Sequence, residues 1–335
     1  MRLVSFEVQT VVGRFERIGA LAHGAIIELN AACTAYFADT ETLNAARRQA
    51  AALVPPDMIA FLEGGATVES VGRAMTDKSV AYAGELLKSE TQPLGPDGHR
   101  LTFNENEIRG LAPVPRPPTI RDGILLLDHY KVGMGRLFKI THEDLIPPAA
   151  RSMPIYWRPS CAAVAEHKRP IKWPCYSEKL NYEFELGVYI GKRGKNIPAA
   201  RAQEHIAGYT VFNDLGLRDT QPAEMSLRLG LTKAKDFETS KVFGPCLVTA
   251  DELPHIDKLR MTTRVNGETW FDGKLGNWAF TFAEFIAHLS RDTWAMNSVI
   301  FLAPVRRHSV WDLKSKAGSN RAMCSNAKSG AQADW

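Results

Sequence analysis

Leu180 to Gln221 reads LNYEFELGVYIGKRGKNIPAARAQEHIAGYTVFNDLGLRDTQ, and the rest of the chain is organised around it. Tyr182, Phe184, Leu186, Val188 and Ile190 alternate with Glu183, Glu185, Gly187 and Tyr189, the period of a strand that buries one face. On the opposite face Glu183 and Glu185 would stand side by side, roughly 7 Å apart along the strand. Pro198 predicts the start of a short helix over AARAQEHIA, closed by Gly208. A second strand, Tyr209 to Phe212, ends in Asn213-Asp214, with Arg218, Asp219 and Gln221 just beyond. If the two strands are neighbours, Glu183, Glu185 and Asp214 converge on one point. Clustered carboxylates repel one another unless a cation sits between them, and oxygen donors suit magnesium, calcium or manganese. On spacing alone, an E-x-E strand is more simply the solvated face of an ordinary sheet. The surrounding motifs have to decide.

Composition narrows the choice. A chain of 335 residues holds one large domain or a large and a small one. Hydrophobic content of 45% and charged content of 23% are those of a globular protein. The net charge of +4 is small and no basic run carries interleaved aromatics, so nucleic acid is not expected as a partner. No long apolar stretch appears, at the N-terminus or elsewhere, and no membrane span is expected. Cys33, Cys161, Cys175, Cys246 and Cys324 are odd in number and form no CxxC pair. That pattern predicts reduced thiols in a cytoplasmic protein and speaks against structural zinc.

Residues 1–30 predict short strands with glycine turns, followed by a helix over AACTAYFA and another around Val68 to Leu87. This β-rich start is expected to form a small N-terminal domain over 1–110, bounded by the proline-rich LAPVPRPPTIRDG at Leu111 to Gly123. Asp122 then reads most simply as the cap of a following helix, and His129 as an exposed helical histidine. Residues 150–180 read as a long irregular crossing. KAKDFETSKVFGPCLVT supplies Lys235 and a Gly-Pro turn into a strand. Asn266-Gly267 predicts a hairpin. Thr281 to Ser290, TFAEFIAHLS, predicts an amphipathic helix with a Thr-x-x-Glu capping box.

These pieces, in this order, resemble the fumarylacetoacetate hydrolase family. The likeness runs from about Pro115 to Ile300 and rests chiefly on NYEFEL and GYTVFNDLGLRDTQ, supported by KAKDF…GPCLVT and VNGE. The resemblance implies an α+β fold, a mixed β-sandwich roll with flanking helices over 111–300, and a homodimer. It implies metal ligands at Asp122, Glu183, Glu185 and Asp214, holding Mg2+ or else Ca2+ or Mn2+. It assigns His129, seven residues after Asp122, as catalytic base, and Arg218, Gln221 and Lys235 to the substrate. Lys235 would also support the developing oxyanion. Leu215 and Gly216 stand where aromatic and small residues are usual, and Gly123-Ile124-Leu125 replaces the usual context of the first ligand; both bear on pocket shape. The expected reaction is hydrolysis of a carbon–carbon bond in a fumarylacetoacetate- or acylpyruvate-like diketo acid from aromatic or sugar-acid breakdown, aided by metal polarisation of the oxo group. An isomerase, decarboxylase or dehydratase acting on a 2-oxo acid is the alternative, as is a protein that binds metal and oxo acid without turnover.

After Ile300 the resemblance stops. The family's G-S-G-T, G-L-E and P-G-D-V motifs are replaced by a polar, aperiodic tail over 301–335. Back-translating Phe301 to Lys314 with permitted codons and reading from the third base gives LGSGTAALGVGLE. Asn320 to Trp335, treated in the same way, yields PGDVLECEVGGAGGL. A frameshift near Ile300 is therefore expected. It would remove the Glu that orients His129, a loss worth orders of magnitude in rate by analogy with catalytic triads, and would uncover sheet edges.

Overall fold

The computed structural model describes residues 1–64, 70–126, 148–227, 230–275, 278–295 and 299–302. His129 and residues 303–335 lie outside them. The chain opens with a meander of β1 (Arg2–Thr10), β2 (Gly13–Ala22) and β3 (Ala25–Glu28). Four helices follow, each started by a side chain that accepts backbone N–H bonds. They are α1 (Leu29–Ala38) capped by Glu28, α2 (Leu43–Leu53) by Thr42, α3 (Met58–Glu63) by Asp57 and α4 (Val71–Leu86) by Ser70. β4 (Thr102–Phe103) and β5 (Arg109–Gly110) return to the meander, pairing with β3 and β1.

Beyond the proline-rich segment come β6 (Ile120–Ile124), β7 (Ile155–Trp157), β8 (Val164–Glu166), β9 (Leu180–Asn181) and β10 (Phe184–Ile190). They are followed by β11 (Gly194–Lys195), β12 (Ile206–Asp214), β13 (Gly216–Leu217) and β14 (Lys241–Thr249). β15 (Arg260–Val265), β16 (Glu268–Lys274), β17 (Trp294–Ala295) and β18 (Val299–Leu302) complete the set. The main sheet runs β4-β3-β2-β1-β14-β12-β10-β18-β6-β7, with β5 and β8 attached to β1 and β14. Most pairs are antiparallel; β18 with β6 and β8 with β14 are parallel. β1 joins β14 with Arg2 opposite Val248, so strands from both sides of position 110 share one sheet.

The sheet is rolled. β14 and β7 are separated in strand order by β12, β10, β18 and β6, a flat distance of roughly 24 Å. Yet the Lys241 ammonium on β14 lies only 4.9 Å from the ring centre of Trp157 on β7. Inside the roll, Tyr189, Phe212, Phe243, Leu247 and Ile120 pack with Leu29 and Cys33 of α1 and Phe61 of α3. Outside it, Leu186, Val188 and Ile190 pack against Phe282, Phe285 and Ile286 of the Phe282–Leu289 helix. Each fully buried side chain of this size stabilises the fold by about 1.5–3 kcal/mol.

The Phe282–Leu289 helix carries its Thr281/Glu284 capping box, and the Asn266-Gly267 hairpin forms with both residues at positive φ. Other local expectations need correction. β10 begins at Phe184 and both its faces are buried, because the rolled sheet encloses what a flat sheet would expose. AARAQEHIA is a 3-10 helix over Ala199–His205 that runs straight into β12. Gly208 lies inside that strand and closes no helix; a Cβ there would stand 2.2 Å from the Val248 carbonyl oxygen. Asp122 caps no helix either. It sits in β6, paired on one side by β18 and on the other by β7.

Candidate metal centre

Strand period decides which side chains enter the roll. Ile120 belongs to the inner core, so Asp122, two residues on, faces the same way. Phe212 and Phe243 stack face to face at 4.5 Å beneath the site, and Asp214 and Lys241, each two residues from one of them, stand above. Glu185 is opposite Phe212 across β10 and β12. The three carboxylates of Asp122, Glu185 and Asp214 thus meet from β6, β10 and β12, with ligand oxygens within 4.8 Å of one another. All three are buried.

Two cross-strand pairs frame them. Trp157 lies opposite Asp122 on β7, and its indole Nε1–H donates to Asp122 Oδ2 at 2.6 Å. Lys241 lies opposite Asp214 on β14, and its ammonium donates to Asp214 Oδ1. Lys235, 2% exposed, donates to Asp214 Oδ2 and to the Asp214 carbonyl at 3.2 Å, and its ammonium pairs with Glu183 Oε2 at 2.9 Å. Arg218 bonds Glu183 Oε1 and gives its other arm to Gln221 Oε1 at 2.7 Å. Gly216 leaves room for this: a Cβ there would meet Lys235 Cε at 3.0 Å.

The electrostatics follow from burial. Desolvation, then the Asp214 charge, pushes the Asp122 carboxyl up to about 8. Glu185 is raised well above the usual carboxylate range by burial and by Asp122 and Asp214. Burial alone would push Lys235 down, but Asp214 and Glu183 together hold it above the usual lysine range. For Lys241 burial outweighs the attraction of Asp214 and the shift is downward. Among the described residues, Glu185 Oε2 has no hydrogen-bond partner despite its burial. Four carboxylates (Asp122, Glu183, Glu185, Asp214) stand against three cations (Arg218, Lys235, Lys241). An all-oxygen donor set with one unsatisfied oxygen and mutual repulsion suits a hard divalent cation.

The residues expected from sequence fall into two groups. Asp122, Glu185 and Asp214 converge. Glu183 lies outside that trio, one lysine away, its carboxylate engaged by Arg218 and Lys235. The cause is local: Glu183 precedes β10, and its N–H donates to Asn213 Oδ1 while its carbonyl accepts from Asp214 N–H. Arg218, Gln221 and Lys235 gather on this second side. Sequence reasoning missed Trp157 and Lys241. Lys241 did leave a signal, a lysine in phase with inward-facing Phe243. Trp157 left none, since its partner is 35 positions away.

Comparison with known proteins agrees with this architecture. The family description "Fumarylacetoacetate (FAA) hydrolase C-terminal" matches residues 136–302. A mitochondrial oxaloacetate tautomerase of Homo sapiens is 30% identical over 292 residues, 87% of this chain and 76% of that protein. An oxaloacetate tautomerase of Bacillus subtilis (strain 168) is 29% identical over 228 residues, covering 68% and 70% of the two chains. The maleylpyruvate hydrolase of Sphingobium sp. SYK-6, solved with manganese(II) and pyruvate, superposes with a TM-score of 0.58 at 16% identity, covering 93% and 91%. The last likeness is one of fold.

Proposed function

This chain belongs to the fumarylacetoacetate hydrolase family, and from that premise we propose that it is a divalent-metal enzyme of 2-oxo acids catalysing keto–enol interconversion. The observation that carries the reading is the convergence of Asp122, Glu185 and Asp214 inside the roll with one buried oxygen unsatisfied. Their oxygens would hold magnesium, manganese or calcium, and such an ion when bound supplies an electrophile that makes a neighbouring oxo group easier to enolise. Glu183, expected as a fourth ligand, joins that set only if Arg218 and Lys235 release it.

The remaining residues bind and orient. Arg218, beside Gln221 at the more open side, presents a guanidinium suited to a substrate carboxylate. Lys235 is placed to hold negative charge on a substrate oxygen once one of its carboxylate partners turns to a cation. Tautomerisation needs only a proton taken from carbon and returned to oxygen. Hydrolysis of a carbon–carbon bond, the expectation from sequence, needs in addition a base that activates water, and the residue proposed for that, His129, lies outside the described segment. The two tautomerases above support the simpler reaction, with oxaloacetate as the substrate to try first.

No helix among the described residues is long and apolar enough to cross a membrane. The four described cysteines are free, which supports a reducing compartment such as the cytoplasm. A homodimer is proposed on the family likeness and is read by light scattering. The function is tested by following decay of the oxaloacetate enol absorbance with Mg2+ or Mn2+ present. Acceleration that Asp214→Asn abolishes supports the proposal. No acceleration, paired with cleavage of an acylpyruvate, replaces it with the hydrolase reading.

A further inference from the structure

Lys241 touches both cross-strand pairs of the centre. It is fully buried, bonded to Asp214 Oδ1, and poised over the ring of Trp157, whose indole N–H holds Asp122. Asp214 has its other oxygen on Lys235, so both oxygens of one expected ligand already face ammonium groups. A carboxylate oxygen carries a second lone pair. A divalent ion can therefore still bind Asp214, but with a fixed positive charge a few ångströms away in a water-poor interior.

We propose that Lys241 is a built-in counter-cation that holds the carboxylates together without metal, weakens divalent-metal binding, and makes it depend on an anionic oxo acid. The inference rests on the metal reading above and adds a property of this chain's own residue. With a divalent ion added, four carboxylates meet five positive charges, and an oxo acid relieves the excess. Binding of ion and acid is then mutually reinforcing, as linkage requires. Without Lys241 the same site is neutral once metal is bound, and the ion has less need of the acid.

The test is equilibrium dialysis of Mn2+ against wild type, Lys241→Met, Lys241→Gln and Lys241→Arg, each with and without oxalate, a non-reacting acid with adjacent carboxyl oxygens. Thermal melts and Trp fluorescence confirm that each variant is folded. Against a divalent ion a few ångströms away, a unit charge is worth roughly tenfold in affinity even at the dielectric of water, and more in a drier site. Lys241→Met and Lys241→Gln are expected to bind Mn2+ at least about tenfold tighter than wild type, with a smaller gain from oxalate, and Lys241→Arg to behave as wild type. Equal or weaker Mn2+ binding by folded Met and Gln variants overturns this inference and leaves the metal reading standing. Failure of all four proteins to bind Mn2+, with or without oxalate, overturns both.

Discussion

Trp157 donates its indole N–H to Asp122 across the β6–β7 pair, at 2.6 Å, and is the partner that steadies this buried carboxylate. Trp157→Phe keeps the ring and removes the donor. Loss of a hydrogen bond to a buried acceptor costs about 1–3 kcal/mol. The variant is expected to melt earlier in the absence of metal and to recover part of the loss when Mn2+ is added. Denaturant titrations with and without Mn2+ read this directly, and an unchanged midpoint would sink it.

Arg218 divides its guanidinium between Glu183 and Gln221. A lysine keeps the charge but cannot span both, because it lacks the planar fork. Arg218→Lys is expected to raise KM for a 2-oxo dicarboxylate by about tenfold while kcat falls less, the pattern of lost substrate binding. A fall in kcat with KM unchanged would instead mean that Arg218 acts in the transition state and not in ground-state binding.

Gly216 lies against Lys235, whose ammonium bonds two oxygens of Asp214 and pairs with Glu183, and cannot swing aside without breaking one of these contacts. Gly216→Ala is expected to cost about 1–3 kcal/mol through overpacking and to cut turnover more than tenfold. Full activity with normal stability would mean that Lys235 is freer than its contacts indicate.

Glu28 caps α1 from a buried position, accepting N–H bonds from Asn30 and Ala31, and burial holds its carboxyl up at about 7 against an ordinary 4.5. A carboxyl whose folded value is raised contributes stability that is full below the unfolded value and lost as pH rises through the folded one. Between pH 5 and 8 the protein is therefore expected to lose stability, by at most about 3 kcal/mol. Glu28→Gln should flatten that slope in melting curves; an identical slope in both proteins would refute the assignment.

The tail carries a prediction at the level of DNA. If a base is missing or extra near the codon for Ile300, a chain read from the third base of the Phe301 codon should regain G-S-G-T and G-L-E and turn over faster by about two orders of magnitude or more, on the precedent of orienting residues in triads. Resequencing those codons, then comparing the two chains in the enol assay, decides it. Equal rates would show that G-S-G-T and G-L-E are dispensable here.

Much of the fold was legible because its signals are local. The capping box at Thr281, the Asn266-Gly267 turn and the alternation of Leu186, Val188 and Ile190 each depend on neighbours within a few residues. The order of motifs added Asp122, His129, Glu183, Glu185, Asp214, Arg218, Gln221 and Lys235 as residues of one region; His129 lies outside the described residues, and the other seven come to the inside of the roll or its rim.

Distant pairing decided the rest. Glu183 and Glu185 look equivalent in sequence, yet one meets Arg218 and Lys235 and the other meets Asp122 and Asp214, because the strand begins between them. Asp122 reads as a helix cap until β18 and β7 close on both sides of it. Lys241 and Trp157 meet only because the sheet curls until its fifth-neighbour strands touch. Period and turn chemistry act over a few residues and can be read from the chain. The curl of a sheet depends on the packing of every strand at once, and that sum decides which charges share a buried space.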